Sequence, residues 1–88
     1  MSDVLAEVAQ ERDRQDAKWG QQNHSPAGWL AVLVEEVGEA AQQIAQGWVE
    51  PITGGQRDYH ANLRRELIQV AASAVAFIEC LDRQDGAE

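Results

Sequence analysis

Leu33-Val34-Glu35-Glu36-Val37-Gly38-Glu39-Ala40-Ala41 is the stretch whose reading decides the fold. Leu30, Leu33, Val37, Ala41 and Ile44 recur at three- and four-residue steps, the period of an amphipathic helix. Three carboxylates stand within five positions of that helix. Glu36 and Glu39, three apart, share a face with their Cβ atoms roughly 5–6 Å from each other and repel. A hard divalent cation converts such repulsion into chelation, because Mg²⁺ selects carboxylate oxygens. A solvated acidic face is the other reading of the same residues. Only a second group of oxygen donors separates the two, and Glu66 with Gln69 offers one.

Outside this helix the chain is short and acidic. Its 88 residues form one domain, 1–88, and a chain of that size buries only about 60–65% of its unfolded surface. Assembly into a homo-oligomer is therefore expected. Seven Lys and Arg oppose fifteen Asp and Glu, a formal net charge of -8. That excludes the basic footprint of a nucleic-acid polymer binder. A nucleotide remains an admissible ligand if a metal ion screens its phosphates. Cys80 is the single cysteine, so no internal disulfide is available and a reducing, cytoplasmic setting is expected. No apolar run is long enough to span a membrane, and the polar N-terminus does not read as a signal peptide.

In chain order, Ser2-Asp3 marks a helix start, with Ser2 as N-cap, and Trp19-Gly20 marks its end. Ser25-Pro26 opens a second helix expected to reach Gln46. Trp48 to Asp58, with Pro51 and Gly54-Gly55, reads as a loop. A third helix is expected from Tyr59 or His60 to about Leu81, followed by a fraying tail. From Leu67 to Leu81 it is apolar nearly all round, so it is buried on more than one side. The fold class is all-α: three helices, antiparallel neighbours, in a helical-bundle homo-oligomer. In that arrangement Glu36 and Glu39 face Glu66 and Gln69 across a cleft. Three carboxylates and an amide oxygen suit Mg²⁺, with Mn²⁺ possible.

Glu36-x-x-Glu39 followed by Glu66-x-x-Gln69 resembles the Glu-x-x-Glu … Glu-x-x-Asp signature of the MazG-like all-α nucleoside triphosphate pyrophosphohydrolases. The runs Arg14–Pro26 and Leu63–Ala72 are similar to short, phage- and actinobacterial-type members, so the resemblance covers residues 11 to 83. It implies hydrolysis of a nucleoside triphosphate to the monophosphate and pyrophosphate by a homodimer or homotetramer. It also implies Mg²⁺ held at Glu36, Glu39, Glu66 and position 69. Gln69 departs from the family's Asp and removes one negative charge from the site. A non-catalytic helical module for assembly or nucleotide binding is the competing class.

The remaining candidates each have two readings. Glu35 is the spare carboxylate for the catalytic base, or a surface acid. Lys18 and Arg65 are substrate-binding candidates for phosphate, and Arg64, which also flanks Glu66, could hold phosphate too; a helix-end charge for Lys18 and ion pairs for the two arginines are the plainer roles. Trp19, Trp29 and Trp48 all lie near expected helix ends, where one can stack on a base with Trp19 as the substrate-binding candidate, although tryptophan is chiefly a packing residue. His24 reads as a turn residue and Cys80 as a small buried hydrophobe.

Overall fold

A computed structural model describes residues 3–49 and 56–86, with side chains for 3–46 and 59–84. These residues form three helices, α1 (Val4–Trp19), α2 (Pro26–Val49) and α3 (Gln56–Gly86), and no strand. The all-α expectation holds for them. None of the helices is long and apolar enough to cross a membrane.

Local chemistry sets the helix ends. Asp3 caps α1: its carboxylate accepts from the N–H groups of Leu5 at 3.0 Å and Ala6 at 3.2 Å. A charged cap also complements the helix dipole, which a serine hydroxyl does not. Ser2, the expected cap, lies outside the described residues. Gly20 stops α1 by adopting φ 72°, a left-handed conformation that glycine reaches without a Cβ penalty. Ser25 opens α2 as expected, its hydroxyl accepting from the Gly28 N–H at 3.2 Å.

The other boundaries differ from expectation. Helix α2 runs through Gly47 to Val49, and α3 begins at Gln56. A single glycine costs a helix only about 1 kcal/mol, which a 24-residue helix absorbs. Pro51, Gly54 and Gly55, read as a turn, lie outside the described residues, as does the Trp48 side chain. The tail does not fray at Asp82; α3 continues to Gly86. Arg83 anchors this last stretch by donating to the Gln22 carbonyl and Asn23 Oδ1, each at 3.0 Å.

Helix α3 is the centre of the fold. Both α1 and α2 pack against it, and among the described residues they make no close backbone approach to each other. Trp29, 3% exposed, anchors α2 to Ala76 and Cys80 of α3, with Val32 and Phe77 closing around it. Its ring stacks on Phe77 at 6.0 Å and meets the edge of His24 at 4.7 Å. Polar contacts tie α1 down: Arg12 reaches Glu79 of α3 at 2.8 Å while holding Asp16 at 3.0 Å, and Arg64 of α3 pairs with Glu7. The apolar stripe of α2 divides. Leu33 is half-buried, but Leu30, Val37, Ala41 and Ile44 are exposed. Contact with α3 takes the side marked by Trp29, Glu36 and Ala40 instead. The molecule measures 55 × 31 × 20 Å, with a radius of gyration of 15.3 Å. One ball of this length has a radius of about 12 Å.

Trp29→Ala should lower the unfolding free energy by about 3–5 kcal/mol, the usual cost of emptying a large buried aromatic site. Trp19→Ala, at a half-exposed position, should cost under about 1 kcal/mol. Urea titration followed by circular dichroism measures both, and equal costs would contradict this core.

Candidate metal centre and adjoining cleft

The close pairing of α2 and α3 brings Glu36 and Glu39 to Glu66. One oxygen from each carboxylate lies within 4.8 Å of the others. Glu36 and Glu66 are half-buried and Glu39 is exposed, so the cluster opens to solvent on one side. Among the described residues, Glu66 Oε2 is shut off from solvent and accepts no hydrogen bond. A buried acceptor without a donor ordinarily costs about 1–3 kcal/mol, more when charged.

The electrostatics follow from crowding. Burial first, then the neighbouring Glu39, Glu66 and Glu35, push the Glu36 carboxyl above its ordinary value. Glu66 is raised by burial and by Glu39, against a smaller opposing pull from Arg65. Three hard oxygen donors, negative charge that Arg65 offsets only in part and an orphaned buried oxygen together fit a divalent cation such as Mg²⁺.

The other candidate residues surround this cluster at different removes. Gln69, one turn beyond Glu66, is half-buried, and its carbonyl oxygen accepts from Gln15 Nε2 of α1 at 3.2 Å. Glu35 is exposed and does not belong to the converging set. Lys18 is exposed, with its ammonium 4.8 Å from the centre of the Trp19 ring. Arg65 is exposed and donates to Asn62 Oδ1 at 3.2 Å. Trp19 is half-exposed.

A cavity of about 160 Å³ lies beside the cluster, lined among others by Trp19, His24, Trp29, Glu36, Gln69 and Ser73. Glu36 and Gln69 therefore border one space. A larger groove of about 500 Å³ runs between α1 and α3. Two of its arginines are already matched: Arg14 holds Glu11 at 2.6 Å and Arg64 holds Glu7. The smaller cavity, next to unmatched carboxylates, is the chemically significant one.

The mixed-sign run Glu11–Asp16 of α1 reads in the sequence as an exposed face or a cleft wall, and Gln15 does line the cavity. Glu11 and Gln15, four apart on one face, form a polar chain with Arg14 and Gln69. The i,i+4 spacing is visible in the sequence, but nothing there says which helix that face meets. His24, read as a turn residue, is also a cleft wall packed on Trp29. Compared with family models, curated proteins and solved structures, the chain matches none.

A raised carboxyl binds more protons in the folded than in the unfolded chain, so stability falls as pH rises through that interval. Glu7 and Glu11 are held low, mainly by hydrogen bonds from Arg64 and Arg14. Their contribution is lost only below the ordinary carboxylate range. In EDTA, the thermal midpoint should therefore fall as pH rises above the ordinary carboxylate range, and Glu36→Gln should flatten that fall. Scanning calorimetry of both proteins across this range is the check; identical slopes would remove the strain from Glu36.

Proposed function

We propose that this chain is a Mg²⁺-dependent nucleoside triphosphate pyrophosphohydrolase of the MazG-like all-α kind it resembles, with Mn²⁺ as a second usable ion. The observation that carries this reading is the convergence of Glu36, Glu39 and Glu66 from two helices around an orphaned carboxylate oxygen. Antiparallel pairing of α2 and α3 belongs to the same reading. It is supported by Trp29 packing near Cys80 while Glu39, further along α2, meets Glu66, earlier in α3. The lone thiol of Cys80 suits a reducing cytoplasm.

Glu36, Glu39 and Glu66 hold the ion, and the second lone pair of the Gln69 carbonyl is available as a neutral fourth donor. When bound, the ion supplies charge neutralisation at the phosphate oxygens. The base rests in the cavity bordered by Trp19, His24 and Trp29, where the exposed face of Trp19 offers a stacking surface. Lys18 and Arg65 meet the phosphates. Glu35, free of the cluster, orients a water and accepts its proton as the water oxygen bonds to phosphorus. The bond from that phosphorus to the bridging oxygen breaks, leaving nucleoside monophosphate and pyrophosphate.

One observation favours a second reading, a non-catalytic helical module that binds nucleotide or assembles without hydrolysis. Gln69 is neutral and its carbonyl is already engaged by Gln15.

Pyrophosphate release from ribo- and deoxyribonucleoside triphosphates, with Mg²⁺ and with Mn²⁺, decides between the two. A unit charge about 4 Å from another is worth several kcal/mol at an effective dielectric near 20. Glu39→Gln should therefore weaken Mg²⁺ binding at least about tenfold by calorimetry and abolish release. Gln69→Glu, which keeps the side-chain length, should tighten Mg²⁺ and lower the metal-free thermal midpoint. Full Mg²⁺ affinity in Glu39→Gln, or undiminished triphosphate binding in EDTA, would remove the metal site and the enzyme with it.

A further inference from the structure

Among the described residues, three buried side-chain polar atoms have no hydrogen-bond partner: Glu66 Oε2, Trp29 Nε1 and Arg83 Nε. The first belongs to the carboxylate cluster. The other two are N–H donors, and both side chains turn their donors toward one sulfur, that of Cys80. Orphaned buried donors are rare, and each requires an account.

Cys80 is 1% exposed and packs against Trp29, itself 3% exposed. Gln84 brings a third N–H group to the same atom, its amide nitrogen 3.7 Å from Sγ. Two acceptors stand nearby, the His24 carbonyl at 3.7 Å and Asn23 Oδ1 at 3.9 Å. A thiol has one weak S–H to give and a sulfur that accepts only weakly. Its hydrogen serves one of those oxygens, and its sulfur is left to three N–H groups, one of them on a cation. That donor set exceeds what a neutral thiol uses and matches an anionic sulfur, or an oxygen bonded to it. Trp29 first, then a backbone hydrogen bond from His24 and the charge of Arg83, hold the thiol below its ordinary value against the opposing push of burial. The sulfur also lies only one side chain beneath the surface. Gln84, which reaches it, is exposed, and Arg83 is half-buried.

We propose that Cys80 is a site of oxidation by hydroperoxides, and that the N–H groups of Trp29 Nε1 and Arg83 Nε hold the oxygen of the sulfenic acid formed there. The Cys80 sulfur attacks one oxygen of the peroxide, so that an S–O bond forms as the O–O bond breaks. The other peroxide oxygen leaves with the thiol proton as water or an alcohol. Sulfur gives up an electron pair and the hydroperoxide is reduced. Cys80 is the single cysteine, so no second thiol of the chain can consume the sulfenic acid as a disulfide. Its persistence then depends on donors of the kind Trp29 and Arg83 supply. The added oxygen falls beside Trp29, the residue that anchors α2 on α3.

The test uses the full chain, with hydrogen peroxide as oxidant and dimedone to capture sulfenic acid, read by intact mass and peptide mapping. The native chain should gain a single dimedone at Cys80, and Cys80→Ser should gain none. Trp29→Phe keeps an aromatic ring and removes the N–H, and Arg83→Gln removes the second donor at a less buried position. Each should slow capture roughly threefold or more, since each removes a group that favours the charged sulfur. Circular dichroism should show both variants helical. None of these readouts involves metal or nucleotide. A native chain that gains no dimedone while the urea-unfolded chain does would overturn the proposal, because Cys80 would then be a buried, inert thiol. So would capture that is unchanged or faster in both variants, because access rather than the two donors would then control the reaction.

Discussion

Close approach of α2 to α3 is the constraint on which the rest of this structure depends. Ala40, Ala72 and Ala76 are buried and have no long side chain to hold the helices apart. Trp29 fills the remaining space at one end of the contact, against Ala76 and Cys80. With that end filled, the middle of α2 has little freedom to slide along α3. Glu36 and Glu39 are thereby held against Glu66 despite their mutual repulsion. The packing energy of one tryptophan and several alanines outweighs the Coulombic cost because the cluster stays partly open to water, where like charges interact weakly.

The convergence of those carboxylates was legible in the sequence because it needs only two short-range facts and one topological one. Three-residue spacing puts Glu36 beside Glu39, and a connected helix pair brings Glu66 opposite. Helix ends were less legible. Gly47 and the polar run from Asp82 look like terminators, yet Gly47 lies within a helix long enough to carry its cost. Arg83 finds partners in residues sixty positions away, a contact that no local pattern announces. The α2 stripe from Leu30 to Ile44 is a third case. Its period correctly signals a helix, but its apolar side is not the side that α3 covers.

The attachment of α1 is of a different physical kind. Val8 is its one buried residue, and Val4 and Leu5 are largely exposed. What joins α1 to α3 is polar: Arg12 with Glu79, Arg64 with Glu7, and Gln15 with Gln69. Arg12 is the strongest of these, with its guanidinium divided among Glu79, Gln15 and Asp16 and its side chain only 13% exposed. Exposed ion pairs are individually worth about 0–1 kcal/mol, so α1 is the helix held least tightly. It also forms one wall of the cleft through Gln15 and Trp19. A weakly held wall can shift without disturbing the α2–α3 contact that keeps the carboxylates together.

Gln69 sits where these two kinds of attachment meet, and its chemistry explains a residue that a metal site alone would not favour. An ionised carboxylate only accepts hydrogen bonds, whereas an amide accepts at oxygen and donates at nitrogen. Gln69 accepts from Gln15, and it also helps hold the neighbouring Glu11 carboxyl low, behind the larger effect of Arg14. An acid at this position could not donate to Glu11 and would add a negative charge beside one that is already ionised. The amide thus serves as a link between α1 and α3. A carboxylate at this position would add charge to the proposed metal site, whereas the link to α1 uses what only the amide offers, a donor beside its acceptor.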